Sequence, residues 1–121
     1  MSTARRQLGD AVERAAEAML ERAGLRLLAR QVANRYGEID LVMRDHDVIV
    51  FVEVRYRAHS GFGGAPASVD LRKQARVIKA AQGYIVAHPE VALAPMRFDV
   101  IAADGPPDAP RFDWIRDAFR T

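Results

Sequence analysis

Residues 48–54, Val-Ile-Val-Phe-Val-Glu-Val, are apolar on both faces of a strand, apart from Glu53. Strands covered on both sides carry continuous apolar runs, whereas strands with one wet face alternate. This run therefore predicts a central strand in a sheet with helices on both faces. With the other patterns along the chain, it predicts an α/β fold with a mixed sheet of four or five strands.

A second strand-like run, residues 38–44, precedes the central one, and the short polar segment between them is typical of a turn. In a tight hairpin with a two-residue loop, Asp40 lies opposite Glu53, and Glu38 lies opposite Arg55. Like charges that face each other destabilise a sheet. The pattern therefore predicts that a cation sits between Asp40 and Glu53.

A hard divalent cation fits this acidic pair best. Mg²⁺ (or Mn²⁺) commonly binds through one or two carboxylates, water and phosphate oxygens, and the Val54 carbonyl adds another oxygen. The plain alternative is a surface ion pair between Glu38 and Arg55, with Asp40 and Glu53 as edge acids. An unpaired carboxylate within an apolar run is costly, which favours a functional site.

The first helix is predicted upstream of the sheet and ends near Gly24, a plausible C-terminal cap. Glu13 borders its apolar stripe, and Glu17 points further toward solvent. The stripe consists of Leu8, Val12, Ala15, Met19 and Ala23, with Ala16 and Leu20 beside them.

The second helix is predicted to start with Ser68 as N-cap and Asp70 in its first turn, and to end at His88-Pro89. Its buried stripe is predicted to be Leu71, Ala75, Ile78, Ala81 and Ile85. An adjacent basic face suits phosphates, although a solvated charged face explains it equally well. That face carries Arg72, Arg76 and Lys79, with Lys73 further round.

The remaining chain predicts strands at 25–32 and 96–102, and an exposed glycine-rich loop at 58–67. A Pro/Asp loop at 105–110 precedes an amphipathic tail, 113–119, which is expected to dock on the core. We see no repeat and no second domain, so residues 1–121 are expected to form a single domain.

Composition excludes several kinds of site. With 121 residues and no cysteine, the chain has neither disulfides nor thiolate metal sites, and its three histidines show no ligand spacing. A net charge of +2 permits nucleic-acid binding without establishing it. No apolar stretch approaches the roughly 18 residues that span a bilayer. We therefore expect a cytoplasmic protein without a membrane partner.

Two short motifs resemble those of a known family. Gly-Glu-Ile-Asp-Leu at 37–41 and Phe-Val-Glu-Val-Arg at 51–55 look like the core of the PD-(D/E)xK nuclease superfamily. The chain more closely resembles the bacterial YraN family, which is related in fold to Holliday junction resolvases. Gly9, Glu13 and Gly24 match the first helix of that family, and Lys73 matches the second. The likeness continues over 97–100 and 114–119, so it spans nearly the whole chain. It implies that residues 1–121 form a single nuclease-like domain with a restriction-endonuclease-like core.

The resemblance implies roles for single residues. Asp40 and Glu53 take the metal-ligand positions, and Glu13 takes that of a helix glutamate near the metal. Arg55 stands where many relatives have the motif lysine. Arginine effectively never loses its proton, so Arg55 would orient water or neutralise phosphate charge, and Lys73 is a candidate substitute amine. Arg55 thus counts among both the catalytic and the nucleic-acid-binding candidates.

Three functions remain open from the sequence. The leading one is a Mg²⁺-dependent, nuclease-like protein that hydrolyses phosphodiesters in DNA, including branched DNA, with DNA favoured over RNA. The second is a nucleic-acid-binding module that keeps the nuclease fold without catalysis. The third is a protein-interaction factor that uses the apolar tail around Trp114 and Phe119. Because related resolvases act as dimers, a homodimer is also open.

Overall fold

The computed structural model describes residues 3–57 and 69–121, with side chains from residue 7 onward. The glycine-rich loop at 58–67 and the Ser68 N-cap therefore lie outside the described residues. The helices are α1 (Thr3–Arg22) and α2 (Leu71–Ala87), followed by a short 3-10 turn (Pro89–Val91). The strands are β1 (Arg26–Asn34), β2 (Gly37–Asp45), β3 (Val48–Arg57), β4 (Met96–Asp104) and β5 (Arg111–Phe119).

The five strands form one mixed sheet in the order β1-β2-β3-β4-β5. β3 and β4 run parallel, and the segment that connects them contains α2, while the other neighbours are antiparallel. The apolar run at 48–54 thus occupies the middle strand, as predicted. The predicted strands at 25–32 and 96–102 exist but end two residues later.

A helix covers each face of the sheet, so the predicted α/β architecture is confirmed. On the α1 side, the core contains Ala16, Leu20, Leu25, Leu41, Met43, Val50, Val52 and Ile101. On the α2 side, it contains Ile39, Val42, Ile49, Phe51, Val77, Tyr84, Phe98 and Phe119, among others. Neighbouring residues of β3 enter opposite cores, which explains why this strand is apolar on both faces.

The predicted cap of α1 is confirmed. Gly24 adopts a φ of +103°, which glycine reaches without steric penalty. Its N–H donates to the Glu21 carbonyl at 3.0 Å, and the Leu25 N–H donates to the Leu20 carbonyl at 3.1 Å. These two bonds form a Schellman motif, and Leu20 and Leu25 pack in the same core.

The orientation of α1 differs from the prediction. Its buried face consists of Val12, Ala16 and Leu20, all three of which belong to the predicted stripe or lie beside it, while Leu8 is 42% exposed. Glu17 is buried instead of facing solvent, because the Arg30 guanidinium on β1 donates to both of its oxygens, at 2.6 and 2.9 Å. A partner on another element therefore turned the helix further than the apolar pattern alone indicated.

The start and buried face of α2 also differ from the prediction. Asp70 is itself the N-cap, since its carboxylate accepts from the Lys73 N–H at 2.8 Å. Leu71 is 80% exposed, and Ala75 is also exposed. The buried residues of α2 are Val77, Ala80, Ala81 and Tyr84. Helix α2 is thus rotated toward Tyr84, whose ring meets Phe51 edge-on at 6.0 Å.

The tail predicted at 113–119 is strand β5, paired with β4. Phe119 is buried and stacks on Phe98 at 5.0 Å. Trp114 is half-buried, and its indole N–H donates to Asp99 at 2.9 Å. The docking prediction is confirmed. The side chains of Phe119 and Trp114 are thus engaged with strand β4.

Candidate functional site

Strands β2 and β3 separate at their acidic end. The predicted register holds from Asp45–Val48 to Leu41–Val52, where the paired residues end. The expected backbone pairs Asp40–Glu53 and Glu38–Arg55 are therefore not formed. Instead, the Asp40 carboxylate accepts the backbone N–H of Val54 at 2.8 Å. At this point the Asp40 side chain, instead of the backbone of β2, accepts the hydrogen bond from β3. The two strands are no longer paired here, and the candidate site lies where their pairing ends.

Glu53 lies at this opening and is only 7% exposed. Lys73 reaches it from α2, with Nζ 3.1 Å from Oε2. The other carboxylate oxygen, Oε1, is buried and has no hydrogen-bond partner among the described residues. A buried charged oxygen without a partner is costly, so Glu53 has the chemistry of a ligand for a further cation.

Glu53 is close enough to Asp40 to affect the ionisation of the Asp40 carboxyl. Burial raises the pKa of Asp40 well above its ordinary value, and the neighbouring negative charge of Glu53 raises it further. The Val54 N–H and the Lys73 charge act in the opposite direction. Without a cation, the Asp40 carboxyl therefore favours its protonated form over a second negative charge beside Glu53. A divalent cation would replace that proton.

Glu13 approaches the site from α1. Burial is the main cause that raises the pKa of Glu13 to about 7, with smaller contributions from Asp40, Asp10 and Glu38. Its carboxylate accepts from Gln31 Nε2 at 2.9 Å, which partly offsets the shift. Gln31 has a φ of +48° within β1. Glu13 thus lies within the electric field of Asp40.

Glu13 does not complete a three-acid metal site. Within residues 3–57 and 69–121, no three His, Asp or Glu side chains come together closely enough to hold a metal ion by themselves. Two carboxylates with backbone oxygen and water are still a sufficient set for Mg²⁺. The donor chemistry of Asp40 and Glu53 fits that ion.

Arg55 lies on the α2 side of the site. It lines a cavity of about 450 Å³ together with Glu53, Lys73 and Arg76. Among the described residues it forms no ion pair with Glu38, which is exposed, so the plain alternative of a cross-strand ion pair is wrong. The cavity also contains Arg57 and Asp70, so four cationic side chains line it with two carboxylates. This excess of positive charge suits a phosphate anion that is bound to a metal ion.

The predicted basic face of α2 divides between two places. Arg76 lines the cavity beside Glu53, whereas Lys79 lines a separate depression next to Tyr36. Arg72 is exposed one turn before Arg76. The three side chains follow one face of the helix, leading away from the acidic site.

Sequence reasoning missed a second acidic centre. Asp99 is fully buried in β4 and accepts from Arg97 Nε, from the indole of Trp114 and from the backbone N–H of Asp117, at 2.9 to 3.2 Å. Arg97 also contacts Asp45 at 2.9 Å. The signal was present, since Asp99 lies within an apolar strand as Glu53 does. The hydrogen bonds that Asp99 accepts account for its burial, so we interpret Asp99 as a structural residue.

We expect Glu13 to make the stability of the protein depend on pH. Its folded-state pKa of about 7 exceeds the ordinary 4.5, so the folded protein holds an extra proton between these values. The contribution of this proton to the free energy of unfolding is fully present below about pH 4.5 and is lost as the pH rises toward 7. Glu13→Gln keeps a hydrogen-bonding group without titrating, so its melting temperature should rise relative to wild type between pH 5 and pH 8.

Thermal melts at both pH values, without divalent metal, measure this effect. Glu21→Gln is the matched control, because Glu21 is exposed on the same helix. An equal pH response in Glu13→Gln and wild type would contradict the shifted pKa of Glu13.

The fold and the site together define a class of protein. A mixed five-stranded sheet with a helix on each face, and an acidic pair where its central hairpin opens, is consistent with a restriction-endonuclease-like α/β protein. The chain belongs to the uncharacterised protein family UPF0102, whose sequence profile matches residues 12–103. This is the family of the YraN proteins, so the resemblance is confirmed.

Relatives in this family cover almost the full length of the chain. A UPF0102 protein of Xanthomonas campestris pv. campestris strain B100 is 57% identical over 120 residues, or 99% of this chain and 97% of the relative. A UPF0102 protein of Stutzerimonas stutzeri strain A1501 is 53% identical over 112 residues, or 89% and 93%. One of Xylella fastidiosa strain 9a5c is 53% identical over 116 residues, or 96% and 94%.

In the described part of the chain, no helix is both long and apolar enough to cross a membrane.

Proposed function

We propose that this UPF0102 protein binds nucleic acid and hydrolyses phosphodiester bonds with the help of Mg²⁺ or Mn²⁺. Its substrate class would be DNA in preference to RNA, including branched DNA. One observation carries the proposal. Asp40 and Glu53 meet, partly buried, where β2 and β3 stop pairing, and Glu53 Oε1 has no hydrogen-bond partner among the described residues.

The residues fit a hard divalent cation. Asp40 and Glu53 would hold it, because the pKa of Asp40 is raised by burial and by the Glu53 charge, and one oxygen of Glu53 has no partner among the described residues. When bound, such an ion lowers the pKa of a water molecule and stabilises negative charge on phosphate. The adjoining cavity has four cationic side chains, Arg55, Arg57, Lys73 and Arg76, which suit the phosphate that this chemistry needs.

Each surrounding side chain has a distinct part in the proposed reaction. Arg55 keeps its proton and would hold phosphate oxygens through its planar guanidinium. Lys73 has its Nζ 3.1 Å from Glu53, so it is the amine within reach of the site. Glu13, with a pKa of about 7, is matched to accept or hold a proton at neutral pH.

A non-catalytic nucleic-acid-binding module is the second candidate, and one contact favours it. The Lys73–Glu53 ion pair already neutralises one of the two acids. Arg55 cannot serve as the general base in place of the motif lysine. In this alternative, Lys73 takes the place of the metal, and the basic side chains bind phosphates without cutting.

Cleavage assays on linear and four-way-junction DNA, with Mg²⁺ or with EDTA, separate the two candidates. A nuclease should cut only with Mg²⁺, and Glu53→Gln should reduce cutting to background because it removes a charged ligand. Arg55→Ala should also abolish cleavage, whereas the matched variant Arg55→Lys should retain it because the charge is kept. DNA that is bound but cut by none of these proteins would overturn the nuclease proposal in favour of the binding module.

A further inference from the structure

The turn between β1 and β2 carries an exposed aromatic side chain beside α2. Tyr36 is 41% exposed, and it lines a depression of about 690 Å³ with Arg35, Lys79, Gly83 and Val86. Val86 is 83% exposed. We call Tyr36, Arg35, Lys79 and Val86 the Tyr36 patch. It combines apolar surface with two cations.

The backbone under the Tyr36 patch is fixed in place. The Asn34 amide donates to the Ala80 carbonyl of α2 at 3.0 Å, and its oxygen accepts the Tyr36 N–H at 3.0 Å. Gly83 allows this approach, since a Cβ there would lie 2.6 Å from Asn34 Nδ2. The backbone that carries the ring is therefore held in place, which lowers the entropy lost when the ring binds a ligand.

The charges around Tyr36 select a negatively charged ligand. The Arg35 guanidinium lies 5.0 Å from the Tyr36 ring centroid, and its Nη2 donates to the Tyr36 hydroxyl at 2.9 Å. Lys79 lies across the depression. Cations beside an exposed aromatic ring are the pattern that holds the phosphates and bases of single-stranded nucleic acid.

The Tyr36 patch continues the proposed cleavage site. Gly37, the next residue, packs against Arg76, whose Cβ lies 3.6 Å from the position of a Gly37 Cβ. Arg76 in turn lines the cavity beside Glu53. Asp40 follows Tyr36 by four residues, which is ~13 Å along a strand, or about four stacked base steps.

We propose that Tyr36 stacks on an unpaired base, so that the substrate carries a single-stranded segment about four nucleotides from the acidic pair. This inference rests on the proposed function and specifies its substrate. The base covers the exposed part of the Tyr36 ring and contacts Val86. Arg35 and Lys79 contact the phosphates on either side of it.

Binding of fluorescently labelled oligonucleotides in EDTA tests this inference without cleavage. The same sequence is offered as a single strand and as a duplex, and fluorescence anisotropy gives both dissociation constants. Tyr36→Ala should weaken single-strand binding by about 5- to 150-fold, which corresponds to about 1–3 kcal/mol per stacked base. Duplex binding should change by less than about twofold, and Tyr36→Trp should retain both.

Leu93→Ala is the matched control, because Leu93 is a fully exposed apolar side chain elsewhere on the surface. It should leave both affinities unchanged. If Tyr36→Ala alters both oligonucleotides equally, or neither, the stacking inference is overturned. A patch that instead binds a protein partner would give the second of these results.

A variant with Arg72, Arg76 and Lys79 replaced by glutamine separates this inference from the proposed function. This variant should bind both the duplex and the single strand more weakly. For each phosphate that is no longer neutralised, the slope of log K against log salt concentration should become shallower by about 0.9 for the duplex and about 0.7 for the single strand. If wild type binds neither form, the proposed function and the inference both fail. If this variant weakens both forms while Tyr36→Ala weakens neither, only the inference fails.

Discussion

Replacing Asp40 by asparagine is expected to abolish the stabilisation of the protein by Mn²⁺ and to raise the melting temperature of the metal-free protein at pH 8. Asparagine keeps an oxygen to accept the Val54 N–H, which Asp40 accepts at 2.8 Å. It removes one of only two carboxylates that would hold the cation. In the absence of metal, burial and the charge of Glu53 both oppose ionisation of Asp40. Asparagine removes this unfavourable negative charge, so the metal-free protein should become more stable. The two effects have opposite signs, so a general loss of folding cannot mimic both.

The expected shifts are large enough to measure by thermal melts. A ligand at about 100 times its dissociation constant stabilises a protein by about 2.7 kcal/mol, which is roughly 10 °C for a chain of this size. Wild type should show such a shift with Mn²⁺, and Asp40→Asn should show none. Calorimetric titration with Mn²⁺ gives the same comparison directly.

Asp47→Asn is the matched control, because Asp47 is an exposed acid in the turn of the same hairpin. It should keep both the metal-free melting temperature and the response to Mn²⁺. Equal Mn²⁺ responses in wild type and Asp40→Asn would rule out a cation shared by Asp40 and Glu53. No response in wild type would favour Lys73 as the permanent counter-ion of Glu53.

The hairpin could be predicted from sequence because its two strands are specified locally. Residues 48–54 are apolar on both faces, and the polar turn before them fixes the register from Asp45–Val48 to Leu41–Val52. The register fails beyond Leu41, where Asp40 accepts a backbone N–H in place of a strand partner. The alternation of residues along a strand contains no information about this exchange of hydrogen-bond partners. The exchange depends on the three-dimensional position of the Asp40 side chain.

The helix orientations were less predictable because partners on other elements decide them. Glu17 has the spacing of a flanking residue, but Arg30 on β1 pairs with it and allows its burial. Tyr84 faces the core because Phe51 and His88 both contact its ring. These contacts join residues that are far apart in sequence or of mixed polarity, and a helical wheel of apolar residues does not include them. The wheel therefore predicts a buried face that is shifted by about one residue from the observed one.

Glu53 and Asp99 are both acidic residues within apolar strands, but their side chains have different surroundings in the structure. Glu53 keeps one buried oxygen without a partner among the described residues. The Asp99 carboxylate, by contrast, accepts hydrogen bonds from three residues of its own sheet. One of those donors is the backbone of Asp117, which has a φ of +53° next to an irregularity in the β4–β5 pairing. The difference between a candidate ligand and a structural acid therefore lies in the partners, which the sequence pattern does not specify.

We expect Asp99→Ala to destabilise the protein more than any other substitution considered. It would leave the indole N–H of Trp114 and the backbone N–H of Asp117 without their acceptor, and would remove one of the two acids that pair with Arg97. Removing one partner of a buried ion pair costs about 3–5 kcal/mol. For a chain of this length, the melting temperature should fall by roughly 10–25 °C.

Asp104→Ala is the matched control, because Asp104 lies on the same strand and also pairs with an arginine, Arg111, at 3.0 Å. The side chain of Arg111 is 70% exposed, and exposed pairs contribute only about 0–1 kcal/mol. Chemical denaturation of both variants should therefore separate them by several kcal/mol if burial and the three donors determine the role of Asp99. Equal losses would mean that Asp99 is no more structural than a surface acid, and its burial would then need a ligand to explain it, as that of Glu53 does.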